Sequence, residues 1–222
     1  MIPSPILKVL STLATHQVRY LLMGGQACVL YGAVEFSRDI DIAIVADDEN
    51  LTALEAAVSA LHARCIAVPT FRMEHLLRGH AVRFRCYRDD VHGLRIDVMT
   101  TMRGVASFEE LWGRRSDYVA ADGQIVDVIG LEDLVRAKKT QRAKDWPMIQ
   151  RLVERHFIMH RTAPTRDQIE FWFREARSPF IMLDLAKSHL QACQPMAATR
   201  PLLAFAAAGD ADGLERALLE EQ

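Results

Sequence analysis

The sequence has no long apolar run and almost no net charge. No segment approaches the roughly 20 consecutive apolar residues that a membrane-spanning helix needs, and the first residues lack the basic-then-apolar pattern of a signal peptide. The formal charge is −2 over 222 residues, of which 50% are apolar and 25% charged. This composition excludes a disordered chain and a protein coated in basic residues. We expect a soluble, cytoplasmic protein without a membrane partner, in which any contact with nucleic acid is local.

Cysteine is also scarce. The four cysteines are widely spaced and include no CxxC pair, which argues against a disulfide framework and against a zinc knuckle, and favours a reducing compartment. Two histidines in HFIMH, His156 and His160, have the i, i+4 spacing of a metal chelate. The apolar residues between them favour a place in the core over a metal site.

Alternating strand-like and helical patterns predict an α/β (α+β) fold with a mixed sheet flanked by helices. Strand-like runs occur at 18–23, 38–45, 81–88, 94–100 and 121–129, and helical spacing occurs at 5–16, 26–33, 49–63 and 105–115. From residue 131 onward the pattern is mostly helical, and small polar residues around Pro164 interrupt it. We expect a first domain over residues 1–160 and a helical C-terminal region over 161–222.

Two aspartates stand inside a strand that is otherwise apolar. In SRDIDIAIV (37–45) the isoleucines fall on one side, while Asp39 and Asp41 fall on the other. Aspartate is disfavoured in strands, and like charges on one face repel. A bound cation would neutralise both. The alternative is that Asp39 pairs with Arg38 or Arg95 and that Asp41 lies at an exposed edge.

A third acid and a glycine pair extend this pattern. Asp97 lies in a second apolar strand with the same alternation, and Gly24-Gly25 separate a strand from a helix. Backbone N–H groups at such a turn are open to a phosphate. Three carboxylates from adjacent strands supply the oxygen ligands that Mg²⁺ (or Mn²⁺) prefers. The sequence therefore predicts a metal–nucleotide site with Asp39, Asp41 and Asp97 as ligands.

A basic segment follows the last predicted strand. Residues 131–161 contain eight Lys or Arg and four Asp or Glu, a local excess of 8 − 4 = +4. Helical spacing places Lys138, Arg142 and Asp145 on one face, which favours a patch for triphosphate or RNA phosphate. A solvated helix face is the alternative. In the DWP sequence, Asp145 is expected to be the N-cap of a helix that begins at Trp146.

The stretch GGQACVLYGAVEFSRDIDIAI (24–44) resembles the signature of nucleotidyltransferases with the DNA polymerase beta type of fold. In that fold a glycine pair opens a helix and a D-x-D strand follows about a dozen residues later. The order GGxA, YG and S-x-DIDI is most similar to AbiEii-like minimal nucleotidyltransferases. The resemblance covers roughly residues 5–155, and it places Asp97 as the third metal carboxylate and the Lys138 helix over the nucleotide.

This chain departs from the family pattern at two positions. Glu35 stands where many relatives carry an arginine, four residues before Asp39, and whether Arg38 substitutes for that basic group is open. Gly25 replaces a serine of the wider superfamily, which removes one hydroxyl from the expected phosphate cradle and leaves its N–H groups.

The resemblance implies transfer of a nucleoside monophosphate from an NTP such as ATP to a hydroxyl acceptor, catalysed by Asp39, Asp41 and Asp97. The residues implied to bind the nucleotide are Gly24, Gly25, Gln26, Arg38, Lys138 and Arg142. The acceptor stays open. AbiEii-like proteins imply a toxin–antitoxin or phage-defence setting with tRNA or a partner protein, and antibiotic-modifying relatives imply a drug hydroxyl. A non-catalytic nucleotide-binding module and a structural interaction protein are further alternatives.

Overall fold

The computed structural model describes residues 4–34, 36–66, 68–120, 123–139 and 145–221. It confirms the α+β class, with a mixed sheet and flanking helices. The chain divides into two compact units, Met1–Gln141 and Arg142–Gln222. This division lies ahead of the boundary predicted at 160/161, because the helix Trp146–His160 packs on the helix that follows it.

One seven-stranded sheet forms the centre of the first unit. Its strands are β1 Tyr20–Met23, β2 Ile40–Ile44, β3 Arg64–Cys65, β4 Val82–Arg85, β5 Arg95–Met99, β6 Ser116–Val119 and β7 Ile125–Val128. The strand order is β3-β4-β5-β2-β1-β7-β6, so β2 is the middle strand, as its apolar run indicates. β2 pairs antiparallel with β1 and parallel with β5.

The sequence patterns located most of these strands and missed two. The hairpin of β4 and β5 is confirmed, with antiparallel pairing. Strand β6 (SDYV) is half polar, so its alternation carries no apolar signal, yet it pairs antiparallel with β7. The two-residue β3 lies at the edge of a region for which the sequence predicted no element.

Helices of the first unit connect these strands. They are α1 Ser4–Thr15, α2 Gly24–Leu30, α3 Asp48–Ala60, α4 Met73–Leu77, α5 Phe108–Gly113 and α6 Leu131–Lys138, with a 3-10 turn at Asp89–Val91. Helix α2 begins at Gly24, two residues before the predicted start. Its first residue follows the last residue of β1 without a loop, and this places the glycine pair directly at the end of a central strand.

A buried asparagine ties the start of β1 to α3. The Arg19 backbone N–H donates to Asn50 Oδ1 at 2.6 Å, and Asn50 Nδ2 donates to the carbonyls of Arg19 at 3.0 Å and Val45 at 2.9 Å. Asn50 is 5% exposed. The Asn50 amide therefore supplies the hydrogen-bond partners of one backbone N–H and two backbone carbonyls.

Replacing this amide is expected to cost stability. Asn50→Ala should lower the free energy of unfolding by about 2 kcal/mol, because it leaves one N–H and two carbonyls without their partner. Urea unfolding followed by circular dichroism measures the loss. Thr52→Ala, on the exposed side of the same helix, should change stability by less than about 0.5 kcal/mol, and an equal effect of the two variants would contradict the role of Asn50.

The second unit is helical throughout its described residues. Its helices are α7 Trp146–His160, α8 Arg166–Glu175, α9 Pro179–Ser188, α10 Leu190–Met196, α11 Leu203–Ala208 and α12 Ala211–Glu220. Phe171, Trp172 and Phe173 are almost fully buried, so this FWF stretch packs in the core of the unit. His156 is buried among them and accepts a hydrogen bond at Nδ1 from Trp172 Nε1 at 2.9 Å.

Asp145 precedes α7, but its side chain does not cap the helix. Its φ and ψ of −82° and −23° are helical, whereas a capping side chain needs an extended backbone to reach the N–H groups of the first turn. The predicted capping bond is therefore wrong, although the helix does begin at Trp146. None of the helices in the described part of the chain is both long enough and apolar enough to cross a membrane.

Candidate functional site

Two acids of the predicted site, Asp41 and Asp97, lie on the two adjacent strands at the middle of the sheet. Asp41 of β2 is the register partner of Asp97 of β5. Register partners of neighbouring strands point to the same face of a sheet. The prediction that carboxylates share one face of adjacent strands is therefore confirmed for Asp41 and Asp97. Asp39 lies one residue before β2 begins, and it meets the same arginine, Arg95, as Asp97 does.

The opposite face of β2 is apolar and closed. Ile40, Ile42 and Ile44 are fully buried. Because the side chains of a strand alternate between faces, burial of these isoleucines fixes the direction in which the acids point. A shift of the register by one residue would put the acids into the core, so the isoleucines hold the acids in place.

Arg95 is the nearest cation to the acids. Its Nη2 donates to Asp39 Oδ2 at 2.5 Å, and its Nε lies 3.0 Å from Asp97 Oδ1. Arg83 of β4 is a weaker neighbour, with Nε 3.6 Å from Asp97 Oδ2. One guanidinium thus bridges two of the three acids, as the pairing alternative from the sequence allowed for Asp39.

The arginines offset the charge of the acids only in part. Burial raises the pKa of Asp41, and the charge of Asp39 raises it further, against the Gly25 N–H, Lys138 and Arg95. Burial also raises the pKa of Asp97, and Asp41 adds to that effect against Arg95 and Arg83. The surroundings therefore disfavour the ionised carboxylates, and an added cation would reverse the balance.

The glycine pair lies directly against the acid strand. A Cβ at Gly24 would lie 1.8 Å from Asp41 Oδ2, and a Cβ at Gly25 would lie 2.2 Å from Ser37 Oγ. Gly24 also has a φ of +63°, which side chains rarely adopt. The Gly25 N–H donates to Asp41 Oδ2 at 3.3 Å. The glycines thus let the start of α2 contact the carboxylate, which the sequence did not predict.

Gln26 supports the loop that carries Asp39. Its side chain is fully buried, and Nε2 donates to the Ser37 carbonyl at 2.7 Å. Its Oε1 is buried and has no hydrogen-bond partner among the described residues. The side chain of Gln26 therefore positions the segment before Asp39, which is a different task from the backbone contact to phosphate that the resemblance implies.

The basic candidates separate into three cases. Lys138 ends α6, which packs on α2, and its charge lowers the pKa of Asp41, so it lies beside the acids. Arg38 is exposed and its guanidinium lies 5.8 Å from the ring of Phe36. Arg142 and Glu35 lie outside the described residues. The cation that contacts Asp39 is Arg95.

The acids fit a divalent cation by chemistry, while Arg95 holds them in a different arrangement. Within the described ranges, no three Asp, Glu, His or Cys side chains are grouped closely enough to hold a metal ion. Arg95 lies between Asp39 and Asp97, so its guanidinium supplies the positive charge beside these two acids. The donors are all carboxylate oxygens, as Mg²⁺ requires. Asp97 Oδ1 is buried and accepts no hydrogen bond of good geometry from the described residues, and its charged neighbour is Arg95 Nε at 3.0 Å, which a bound cation would have to displace.

Arg83 is a neighbour of the site that sequence reasoning missed. It is the register partner of Asp97 across the β4–β5 hairpin. The hairpin itself was predicted, and its register would have identified Arg83. Loop length alone does not determine that register, because the 3-10 turn Asp89–Val91 shortens the connection.

Removing Arg95 is expected to weaken the fold slightly and in a pH-dependent way. Arg95→Met should lower the free energy of unfolding by about 1 kcal/mol at pH 7, because two neighbouring carboxylates lose their shared partner. The loss should shrink as the pH falls and the acids take up protons. Urea titrations at pH 7 and pH 4 measure it. Arg83→Met is the control, and an equal loss there would contradict the bridging role of Arg95.

Neither a scan against protein-family models nor a search of curated proteins finds a match for this chain. The functional proposal therefore depends on the acids, the arginines and the glycine turn described above.

Proposed function

We propose that this protein is a Mg²⁺-dependent nucleotidyltransferase that moves a nucleoside monophosphate from an NTP to a hydroxyl acceptor. The observation that carries the proposal is the pairing of Asp41 with Asp97 across two central strands. Asp39 meets the same arginine as Asp97, and Gly24 brings a helix start into contact with Asp41. Core strands do not keep adjacent acids without a partner cation at low cost.

The three acids and Lys138 would act on different parts of the reaction. Asp39, Asp41 and Asp97 would hold the divalent cation. When bound, Mg²⁺ neutralises the triphosphate and makes the α-phosphate more electrophilic. The raised pKa of Asp97, caused first by burial, suits that carboxylate to accept the proton of the acceptor hydroxyl. Lys138 would neutralise charge on the departing pyrophosphate.

The transfer replaces one oxygen bond of the α-phosphorus with another. The acceptor oxygen forms a bond to the α-phosphorus, and the bond from that phosphorus to the pyrophosphate oxygen breaks. The hydroxyl proton passes to the Asp97 carboxylate and then to water. Arg95 would leave Asp39 and Asp97 when a cation binds, since both partners compete for the same oxygens.

A non-catalytic protein of the same fold is the second candidate. The contact of Arg95 with both Asp39 and Asp97 favours it, because a permanent internal counter-ion would leave no need for a metal. The two candidates differ in whether a divalent cation displaces Arg95. The setting, whether toxin–antitoxin, phage defence or drug modification, follows from the acceptor and is part of the same proposal.

A transfer assay separates the candidates. The purified protein is incubated with Mg²⁺, each labelled NTP, and either total tRNA, cell-extract protein or an aminoglycoside. We expect transfer of label by the wild type and by Asp117→Asn, an exposed acid on β6, and loss of transfer in Asp39→Asn and Asp41→Asn. The labelled fraction identifies the acceptor.

Thermal unfolding with Mg²⁺ and each NTP is the second measurement. A Tm that rises with Mg²⁺-NTP in the wild type and not in Asp41→Asn supports the metal–nucleotide site. Absence of both transfer and a Tm shift would reject the enzyme. A shift without transfer to any acceptor would favour the non-catalytic nucleotide-binding protein.

A further inference from the structure

Three arginines lie opposite one another on adjacent strands next to the acids. Arg64 of β3 is the register partner of Arg85 of β4, and Arg85 is the register partner of Arg95 of β5. Arg83, two positions from Arg85, is the register partner of Asp97. All four therefore point to the face of the sheet that carries Asp97.

This part of the sheet is exposed and rich in arginine. Arg64, Arg83 and Arg85 are exposed, and within the described ranges Arg85 forms no ion pair. The segment 62–95 contains seven arginines, no lysine and three acids, in a chain whose net charge is −2. The guanidinium of Arg64 lies 5.6 Å from the ring of Tyr87, whose exposed fraction is 42%.

Such an arrangement works against the stability of the sheet. Like charges directly opposite on neighbouring strands are destabilising, and Arg85 has an arginine on each side. Arg95, at one end of the row, is paired with Asp39 and Asp97. Within the described ranges, Arg64 and Arg85 form no ion pair, so their charges are not neutralised by the protein itself. An external anion with several charges would relieve the repulsion.

The residue types indicate a nucleic-acid strand as that anion. Arginine presents a planar fork that binds phosphate oxygens in pairs, and lysine does not. Exposed aromatic rings beside arginine, such as Tyr87, offer a surface on which bases stack. From β3 to β2 the face spans three strand spacings, about 14 Å.

We propose that this surface, the arginine face of Arg64, Arg83, Arg85 and Tyr87, binds the phosphate backbone of a nucleic-acid strand. The strand would run from the edge of the sheet towards Asp41 and Asp97, and it would supply the acceptor hydroxyl. The role of the strand as acceptor rests on the proposed transfer reaction. Binding to the face does not need the NTP or the metal.

Fluorescence anisotropy without NTP or Mg²⁺ tests the proposal. Labelled single-stranded RNA, the same DNA sequence and its duplex are the probes, with polyglutamate as competitor. We expect the logarithm of the binding constant for a single strand to fall with a slope of about −2 against the logarithm of salt concentration, for three neutralised phosphates. Arg64→Gln/Arg85→Gln should weaken binding at least ~10-fold and reduce the slope by about 1.4.

The control removes the same charge elsewhere. Arg174→Gln/Arg216→Gln changes two exposed arginines of the second unit and should change affinity by less than about twofold. Because opposed positive charges are removed, Arg85→Thr should also raise the urea midpoint of unfolding while binding weakens. A purely structural role of Arg85 would not produce that combination.

Several results would contradict binding of a nucleic-acid strand to the arginine face. They are absence of nucleic-acid binding by the wild type, an equal loss in the control pair, and competition by polyglutamate as strong as by RNA at matched charge. Preference between RNA and DNA identifies the strand, and binding of either one supports the proposal. Asp41→Asn should bind the strand as the wild type does. If the wild type binds the strand but transfers no label, the enzyme is rejected and the arginine face is still supported.

Discussion

Gly24→Ala is expected to destabilise the first unit by ~2–5 kcal/mol, and Gly104→Ala by only ~1–2 kcal/mol. Both glycines have a positive φ, +63° and +74°, so both alanines meet the same kind of backbone strain. Only the new methyl group at position 24 would meet another group, since Asp41 Oδ2 would lie 1.8 Å away, whereas the space around Gly104 is open to 4 Å. The difference between the two variants measures the clash alone.

The clash has a functional consequence besides its cost in stability. The Asp41 carboxylate and the start of α2 have to move apart, because a Cβ cannot stand 1.8 Å from a carboxylate oxygen, and this displaces Asp41 from its position beside Asp97. Gly24→Ala should therefore also lose nucleotidyl transfer, while Gly104→Ala keeps it. Urea unfolding of both variants and the label-transfer assay are the measurements. Equal losses of stability in the two variants would show that Gly24 is needed only for its φ.

Between pH 6.5 and pH 4, the second unit is expected to lose ~3 kcal/mol of stability through His156 alone. The Nδ1 of His156 accepts the hydrogen bond of Trp172 Nε1, so the imidazole must be neutral there. Burial, with a smaller effect from His160, lowers the pKa of His156 to about 4. The unfolded state therefore binds a proton at His156 with a pKa of about 6.5, whereas the folded state does not bind it until the pH is much lower.

Stability falls as the pH falls because the pKa of His156 is lower in the folded state than in the unfolded state. Above pH 6.5 His156 is neutral in both states and its contribution to stability is complete. As the pH falls towards 4, the unfolded state gains a proton that the folded state does not, and stability declines. Below about pH 4 both states are protonated at this site and the decline ends.

A difference measurement isolates His156 from the acids of the first unit. Unfolding is followed by tryptophan fluorescence at several pH values for the wild type, His156→Gln and His189→Gln. The last replaces a half-buried histidine at the C-terminal end of α9. We expect His156→Gln to flatten the pH dependence between 6.5 and 4, and His189→Gln to follow the wild type. An unchanged slope in His156→Gln would contradict the buried neutral imidazole.

Local pattern determined the face on which the site lies. The alternation of isoleucine and aspartate in SRDIDIAIV places Asp39 and Asp41 together, because successive side chains of a strand point to opposite faces. The same alternation in the strand of Asp97 predicts a third acid in an equivalent position. These predictions hold because they depend on a period of two residues, which a short strand keeps in any fold.

The tertiary structure alone decided which groups touch these acids. Arg95, and not Arg38, bridges Asp39 and Asp97, and the reason is strand order: β5 lies next to β2, whereas Arg38 is exposed beside Phe36. The contact of Gly24 with Asp41, the opposition of Arg64 to Arg85, and the polar strand β6 likewise depend on register. Register is a property of pairs of strands far apart in the chain, so the pattern within one strand determines which face a residue lies on and not which residue lies beside it.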